Sequence, residues 1–474
     1  MPLSNCSKIS ISILTIITII GVQFIILSFS SFQTKARIMR ANFVLGIQVI
    51  MLTFSLLVWR TFKDCMFADN FFSSLEEFIS GKILGRFKFK EKSMRKSSES
   101  DLTAGAELIQ NRRWTLWKIV LFFYLLMCHT SYLTNLYFIG KDPYWIGLIT
   151  YACLGSFIQL NTGLLIIKTV SQILNILKIK KTSQRLSYYQ LSSNQKAIFS
   201  SVFMLCASVY GLYNASQPPV VKDVKIPIRD LPVGLNGLKI VQLSDIHLGP
   251  TVGFSKLSKI VTIVNQEKAD VVVLTGDLVD GSVVFLQDAA VPLKSIQSKY
   301  GNYFVTGNHE YYTGDVDNWF IALASLGFKV LHNSHVFIPE KNANGQEHIC
   351  LAGTDDIQAN LIGYGDHKFD LAKAVGNCSQ QRPVILLAHQ PKAAKIALDS
   401  SYRIDLVLSG HTHGGQMFPM VIAAYLLNPF FAGLYKYGPN GSFVYVSQGT
   451  QYWGIPMRIA TTMEITRITL QSAN

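Results

Sequence analysis

Charge is scarce in this chain: Asp, Glu, Lys and Arg make up 15% of its 474 residues, against 49% hydrophobic residues. Acid is scarcest in the first part. Residues 1–213 hold nine Asp/Glu against 23 Lys/Arg, whereas residues 214–474 hold 20 of each, so the net charge of +14 is N-terminal. A basic balance often signals nucleic acid. Here the excess lies between apolar runs, which fits membrane topology instead, and no nucleic-acid binding is expected. Cysteine is sparse as well. None of the seven forms a C-x-x-C pair, which argues against a zinc ribbon or a dithiol redox motif. Cys350 and Cys378 alone fall in the second part, either as a disulfide or as two buried thiols. The length exceeds what one core usually organises, so at least two domains are expected.

The first part has long apolar runs. Five stretches, about 10–30, 41–59, 119–139, 144–167 and 197–213, approach the roughly 20 residues that a helix needs to cross a bilayer. The first is too long for a signal-peptide core and lacks a clear cleavage site. None of the five holds an Asp, Glu, Lys or Arg in its interior. Intramembrane charge usually marks transport, so these spans read as an anchor, and His129 reads as an interhelical hydrogen-bonding residue. The segment 82–113 is charged and Ser-rich and reads as a flexible cytosolic loop. The loops after spans two and four carry 18 Lys/Arg, and those after spans one and three carry four. The basic loops should therefore be cytosolic, which puts the C-terminal domain outside the cell or in a lumen. Sequons at Asn214, Asn377 and Asn440 agree.

Beyond residue 238 the pattern changes to short apolar runs that end in polar, Gly-containing turns: LKIVQLSDIHLG, DVVVLTGDLVDG, NYFVTGNHE, VILLAHQP and IDLVLSGHTHGGQ. Runs of four to six apolar residues suit buried strands. Each delivers Asp, Asn or His at its C-terminal end, where α/β sheets place their sites. Asp-x-His or Gly-Asp alone is an ordinary turn. Two imidazoles in Gly-His-Thr-His-Gly-Gly after a buried strand need partners, and five such ends in series do not arise from packing. Asp245, His247, Asp277, Asn308, His389, His411 and His413 supply oxygen and nitrogen donors suited to two divalent ions, which can clamp a phosphate and generate hydroxide near neutral pH. The lack of Cys among them favours Mn, Fe, Zn or Mg chemistry over a structural zinc site.

The series DxH, GDxxD, GNHE, a lone His and GHTH resembles the metallophosphoesterase (calcineurin-like) superfamily over roughly residues 238–470, and with the multi-span first half it is similar to the membrane-anchored members. The resemblance implies an α/β domain, a two-sheet β-sandwich flanked by helices, following a multi-span α-helical region. The expected division is a membrane region over 1–213, a linker over 214–237 and a catalytic domain over 238–474. It implies that Asp245, His247 and His413 hold one metal, that Asn308, His389 and His411 hold a second, and that Asp277 bridges them. His309 would be the catalytic residue, protonating the leaving group or stabilising its charge while a metal-activated hydroxide attacks phosphorus. The expected activity is hydrolysis of a phosphate ester or pyrophosphate, on a lipid-linked or nucleotide-like substrate at the membrane. The competing class is an inactive receptor or scaffold, which degenerate ligands would favour; every ligand position is intact.

One departure stands out. Ser/Thr phosphatases of the superfamily place an Arg on the phosphate from an Asp-Arg-Gly run, and this chain reads Asp280-Gly281-Ser282, which argues against that type. His332, His335, His348 and His367 read as ordinary surface. The uncharged run 417–435 follows the last His pair directly. Pro419 and Pro429 argue against one straight spanning helix. It reads as an apolar wall of the substrate pocket or as an interfacial anchor with Tyr425, Phe430, Phe431 and Tyr435 at headgroup depth.

Overall fold

The computed structural model describes residues 32–63, 116–133, 144–179, 191–340 and 347–473. The expected span at 10–30 and the charged loop at 82–113 lie outside these. Four apolar helices come first: α1 (Phe32–Phe62), α2 (Leu116–Leu133), α3 (Trp145–Ile179) and α4 (Ser193–Ser216). Each is long and apolar enough to cross a bilayer. Their outward faces expose large apolar side chains, among them Leu45, Val49 and Leu52 of α1, Phe122 and Phe123 of α2, and Val202 and Val209 of α4. Polar atoms turn inward. His129 bonds Gln48 (2.5 Å) and Ser55 (3.0 Å) of α1, the interhelical role read from the sequence.

The second part is a two-layer sandwich. One sheet has the order β1 (Val220–Ile228), β12 (Glu464–Ser472), β2 (Lys239–Leu243), β3 (Val271–Thr275), β4 (Asn302–Val305), β5 (Phe328–Val330). The other has the order β10 (Gly433–Tyr437), β11 (Ser442–Val446), β9 (Leu406–Ser409), β8 (Val384–Leu387), β7 (Ile349–Gly353), β6 (Ser334–Ile338). Strands β2 to β5 run parallel, as do β7, β8, β9 and β11. Side chains alternate along a strand, and both faces of these strands are covered. Val271 and Val273 meet Ile385, Leu387, Leu406 and Leu408 between the sheets. Val272 and Leu274 face outward onto α5 (Phe254–Gln266) and α6 (Val283–Ala290), through residues such as Leu257, Ile260 and Leu286. The second sheet is covered by α9 (Pro391–Leu398), with α7 (Asn308–Thr313) and α8 (Val316–Ser325) following β4. Burial on both faces is why these strands read as continuous apolar runs.

Residues 214–237, expected as a linker, instead hold the end of α4 and the whole of β1, which pairs with β12 over nine residues. Ile226 and Ile228 are buried in the inter-sheet core; Lys222, on the same face, reaches the buried Glu464 (3.6 Å), and Lys225 points away. An edge strand with a lysine on each face and a Pro near its end carries too weak an apolar signal to read.

The helices and the sandwich are docked on each other. Segment Trp453–Ile459 sits between α3 and α4. Arg458 N donates to Gly211 O (3.0 Å), Asn214 Nδ2 donates to Arg458 O (3.1 Å), and Met457 packs where any side chain on Gly155 would stand. Gln159 of α3 donates to Phe418 O at 2.8 Å. Met39, in α1, packs on the Tyr311, Val316 and Ile362 cluster. The run 417–435 is no span. It holds α10 (Met420–Leu427), with Ile422, Leu426 and Leu427 exposed, and then turns into β10. Phe430 is not at a headgroup surface; it is buried between Tyr435 and Tyr437. Cys350 and Cys378 are disulfide-bonded.

Candidate metal centre

All five polar turns lie at the C-terminal ends of parallel strands: β2 leads to Asp245 and His247, β3 to Asp277, β4 to Asn308, β8 to His389, and β9 to His411 and His413. The two sheets bring these ends to one edge of the sandwich. Cross-sheet bonds hold them there, Gln242 Nε2 to Ser409 O (2.9 Å) and His389 Nδ1 to Thr275 O (2.7 Å). The turns are also tied in pairs, with Asp245 N donating to Gly276 O (3.0 Å) and His247 N to Asp277 O (3.1 Å).

The side chains fall into two overlapping groups. His413 Nε2 is 3.0 Å from His247 Nε2 and 3.4 Å from Asp245 Oδ1. Asp277, His389 and His411 form the second group, with Asp277 Oδ2 3.2 Å from His389 Nε2. The same Asp277 oxygen is 3.8 Å from His247 Nε2, which places this carboxylate between the groups. Asp245, His247, Asp277, His411 and His413 all have positive φ, between 51° and 72°. Non-glycine residues rarely adopt that region, and such strain gathers at functional sites. Glycine is required where backbone meets ligand: a Cβ on Gly307 would overlap the Asp277 carboxylate, and one on Gly410 would overlap Ser244 and Asp245.

Several donors are aimed but unused. Asn308 Oδ1 and His389 Nε2 are buried without a hydrogen-bond partner. Such groups cost free energy unless something satisfies them. The His389 Nδ1–H is committed to the Thr275 carbonyl, which aims Nε2 at Asp277, 3.2 Å away; burial opposes charge on this ring, and the Asp277 carboxylate more than reverses that, holding it well above the ordinary histidine range. Burial drives His411 down to about 3 and His413 well below the ordinary histidine range, which keeps both neutral, the form that binds cations. Burial would raise the Asp277 carboxyl, but the neighbouring His389, His309 and His247 hold it well below the carboxylate range. An anionic carboxylate, two neutral imidazoles and the partnerless Asn308 oxygen fit divalent cations.

The profile of the calcineurin-like phosphoesterases matches residues 238–415. A transmembrane protein with metallophosphoesterase domain from Danio rerio is 46% identical over 359 residues, 75% of this chain and 81% of that one. A putative metallophosphoesterase of Caenorhabditis elegans is 31% identical and covers 99% of this chain and 98% of its own. The chain belongs to the calcineurin-like metallophosphoesterases. Relatives of this metallophosphoesterase extend to an uncharacterised Helicobacter pylori protein, 36% identical over 264 residues, 56% of this chain and 67% of that protein.

Around the ligand-like residues, this metallophosphoesterase has partners that motif reading did not find. Asp280, which closes the GDxxD motif, accepts from two histidines through one oxygen: His247 Nδ1 at 2.9 Å and His309 Nδ1 at 2.7 Å. Burial would raise its pKa, yet the two imidazoles hold it far below the carboxylate range. His309 is raised to about 9: burial opposes its charge, and Asp277 and Asp280 more than reverse that. Glu310 is buried and accepts from the backbone N–H of Gly307 (2.6 Å), Asp277 (3.0 Å), Leu278 (2.8 Å) and Val279 (3.3 Å), clasping the turns after β3 and β4. Arg458 is fully buried and donates to His413 O at 2.7 Å. Trp453 stands 5.3 Å from the His309 ring. Of these, Asp280, as the last residue of GDxxD, and Glu310, in GNHE, lay inside recognised motifs, though neither was assigned a role.

Two histidines expected as surface are not. The His332 and His367 rings lie tilted against each other with centroids 4.4 Å apart, and His332 Nδ1 is 2.7 Å from the buried Asp355. This cluster is already satisfied: Asn333 Nδ2 (3.1 Å) donates to Asp355, and His367 contacts Tyr311 (3.1 Å) and Asp317 (3.2 Å). His348 is also buried, against Phe337. Apolar neighbours from other strands cover them, which local polarity does not reveal.

Proposed function

We propose that this chain is a membrane-anchored, dinuclear metal-dependent phosphoester hydrolase. Asp245, His247 and His413 would hold one divalent ion and Asn308, His389 and His411 the other, with Asp277 bridging. The observation that carries this reading is the position of Asp277, whose one oxygen faces His389 of one histidine-carboxylate group (3.2 Å) and His247 of the other (3.8 Å), beside the buried, partnerless Asn308 Oδ1. Bound there, two ions supply charge neutralisation for the phosphate and an activated water. The chain does the rest. Asp280 fixes the His247 and His309 rings by their Nδ1 atoms, leaving His309 Nε2 for the pocket. From that position His309 holds a proton for the leaving oxygen or stabilises its charge.

Helices α1 to α4 serve as the anchor, and the catalytic domain is extracellular or lumenal. The ends of α1 to α4 that touch the sandwich carry Met39, Tyr132, Tyr151 and Asn214, so Arg60, Lys118, Lys168 and Lys196 lie toward the opposite ends; Lys35, Arg37 and Arg40 are on the sandwich side, and the balance of 18 against four loop cations favours an outside domain. The Cys350–Cys378 disulfide and the exposed sequon residues Asn377 and Asn440 support the same side. Helix α10, with its exposed Leu426 and Leu427, rests in the interface as a further anchor.

The test is turnover of p-nitrophenyl phosphate and bis-p-nitrophenyl phosphate by the full chain in detergent, after chelation and after re-addition of Mn, Fe, Zn or Mg. Hydrolysis of either ester that is lost on chelation and restored by a metal is expected. No turnover with any metal contradicts the reading.

A further inference from the structure

A cavity of about 410 Å³ opens over the candidate metal centre, and its walls come from both parts of the chain. One side is the site itself, with Asp277, Asn308, His309 and His411. The other is apolar and comes largely from the helices: Met39, Phe43 and Val44 of α1, and Tyr132 of α2. Phe43 and Val44 open the apolar run Ala41–Phe62, and Tyr132 is in the last turn of Leu116–Leu133. These are the helix ends that meet the sandwich. Immediately beyond them on α1, Leu45, Val49 and Leu52 are exposed as a lipid-facing surface. The cavity is therefore continuous with the stretch of helix that sits in hydrocarbon. Its apolar side offers almost no partner for the hydroxyls of a sugar or the edges of a base, which would be left unsatisfied there.

Resting on the hydrolase reading, we infer that the substrate is a lipid phosphoester that stays in the bilayer. Its phosphate enters the centre while its alkyl chain leaves past Phe43, Val44 and Tyr132 into the membrane. The role of α1 and α2 is then to build half of the substrate site as well as to anchor it. This selects the lipid-linked class over the nucleotide-like one.

The test uses full chain in lipid nanodiscs, with p-nitrophenyl phosphate turnover as reporter and two competitors that share a headgroup, butyl phosphate and hexadecyl phosphate. Hexadecyl phosphate should inhibit at concentrations lower by about tenfold or more, since each buried methylene adds to affinity. Val44→Trp, which fills the apolar side, should erase that preference. Phe43→Ala should weaken it and serves if Val44→Trp is recovered poorly. Val209→Trp, on the exposed face of α4, should leave the preference intact. Equal inhibition by the two alkyl phosphates overturns the inference, and so does a preference that survives both α1 variants, because membrane partition alone then explains it. If the reporter itself is not turned over, the hydrolase reading fails separately. Photolabelling by a diazirine-bearing hexadecyl phosphate still decides the pocket: label on α1 near Phe43 or on α2 near Tyr132, displaced by unlabelled hexadecyl phosphate, supports it, and label confined to other segments contradicts it.

Discussion

One oxygen of Asp280 holds two imidazoles with different proposed tasks, His247 as a metal ligand and His309 toward the leaving group. Losing each partner should therefore look different. His309→Ala removes the proton donor and should lower turnover by about 10²–10⁴-fold with metal content retained. The deficit should shrink for p-nitrophenyl esters, whose leaving group needs no proton, relative to an alkyl ester; an equal deficit on both assigns His309 to charge stabilisation instead. Asp280→Asn keeps the shape but loosens both rings, so turnover should fall and metal affinity should fall with it, by about 10- to 100-fold as for other groups that orient metal-binding histidines. Titration of apo protein with Zn or Mn reads that directly, and unchanged affinity would remove Asp280 from the positioning role. The seven ligand-like residues were legible in sequence because each follows a buried strand at a fixed place. Asp280, Arg458 and Trp453 were not. Asp280 closes the GDxxD motif but the motif alone does not say what it holds, and the partners of all three come from other turns, so only the fold brings them together.

At the scale of elements, the strands that carry the site read clearly because burial on both faces makes them unbroken apolar runs. Strand β1 did not, because Lys222, Lys225 and Pro227 interrupt its apolar residues. The close approach of turns makes a sharp prediction. Gly307→Ala puts a methyl group onto the Asp277 carboxylate, so the turns after β3 and β4 must separate and metal content should drop, while far-ultraviolet circular dichroism stays near wild type. Full activity in that variant would show that the turns are not locked. The disulfide between β7 and the loop after Val375 closes 28 residues of separation, and its removal should destabilise the domain by ~3–4 kcal/mol in the chain-entropy estimate. Denaturant unfolding of Cys378→Ser under non-reducing conditions measures that loss, and an unchanged midpoint would mean that the bond contributes nothing.

For the whole molecule, the sequence indicated an anchor and a catalytic part but not their docking. No local pattern announces that Arg458 is gripped by α4 through Gly211 and Asn214 while it donates to His413. Docking also refines the topology argument. Asn214 spends its amide on Arg458 inside α4, whereas Asn377 and Asn440 are exposed. In eukaryotic cells, glycosidase should shift wild type and Asn214→Gln alike, and the shift should vanish in the Asn377→Gln, Asn440→Gln double variant. A wild-type chain without glycan, with its C-terminus reached by cytosolic protease, would reverse the orientation. The central claim is a pair of cations bridged by one carboxylate, and it is tested most directly by metal content per chain, measured by inductively coupled plasma mass spectrometry on full chain alongside turnover. Two ions per wild-type chain, with fewer ions and abolished turnover in Asp277→Asn, is the predicted result; two ions and near-normal turnover in Asp277→Asn would contradict the account.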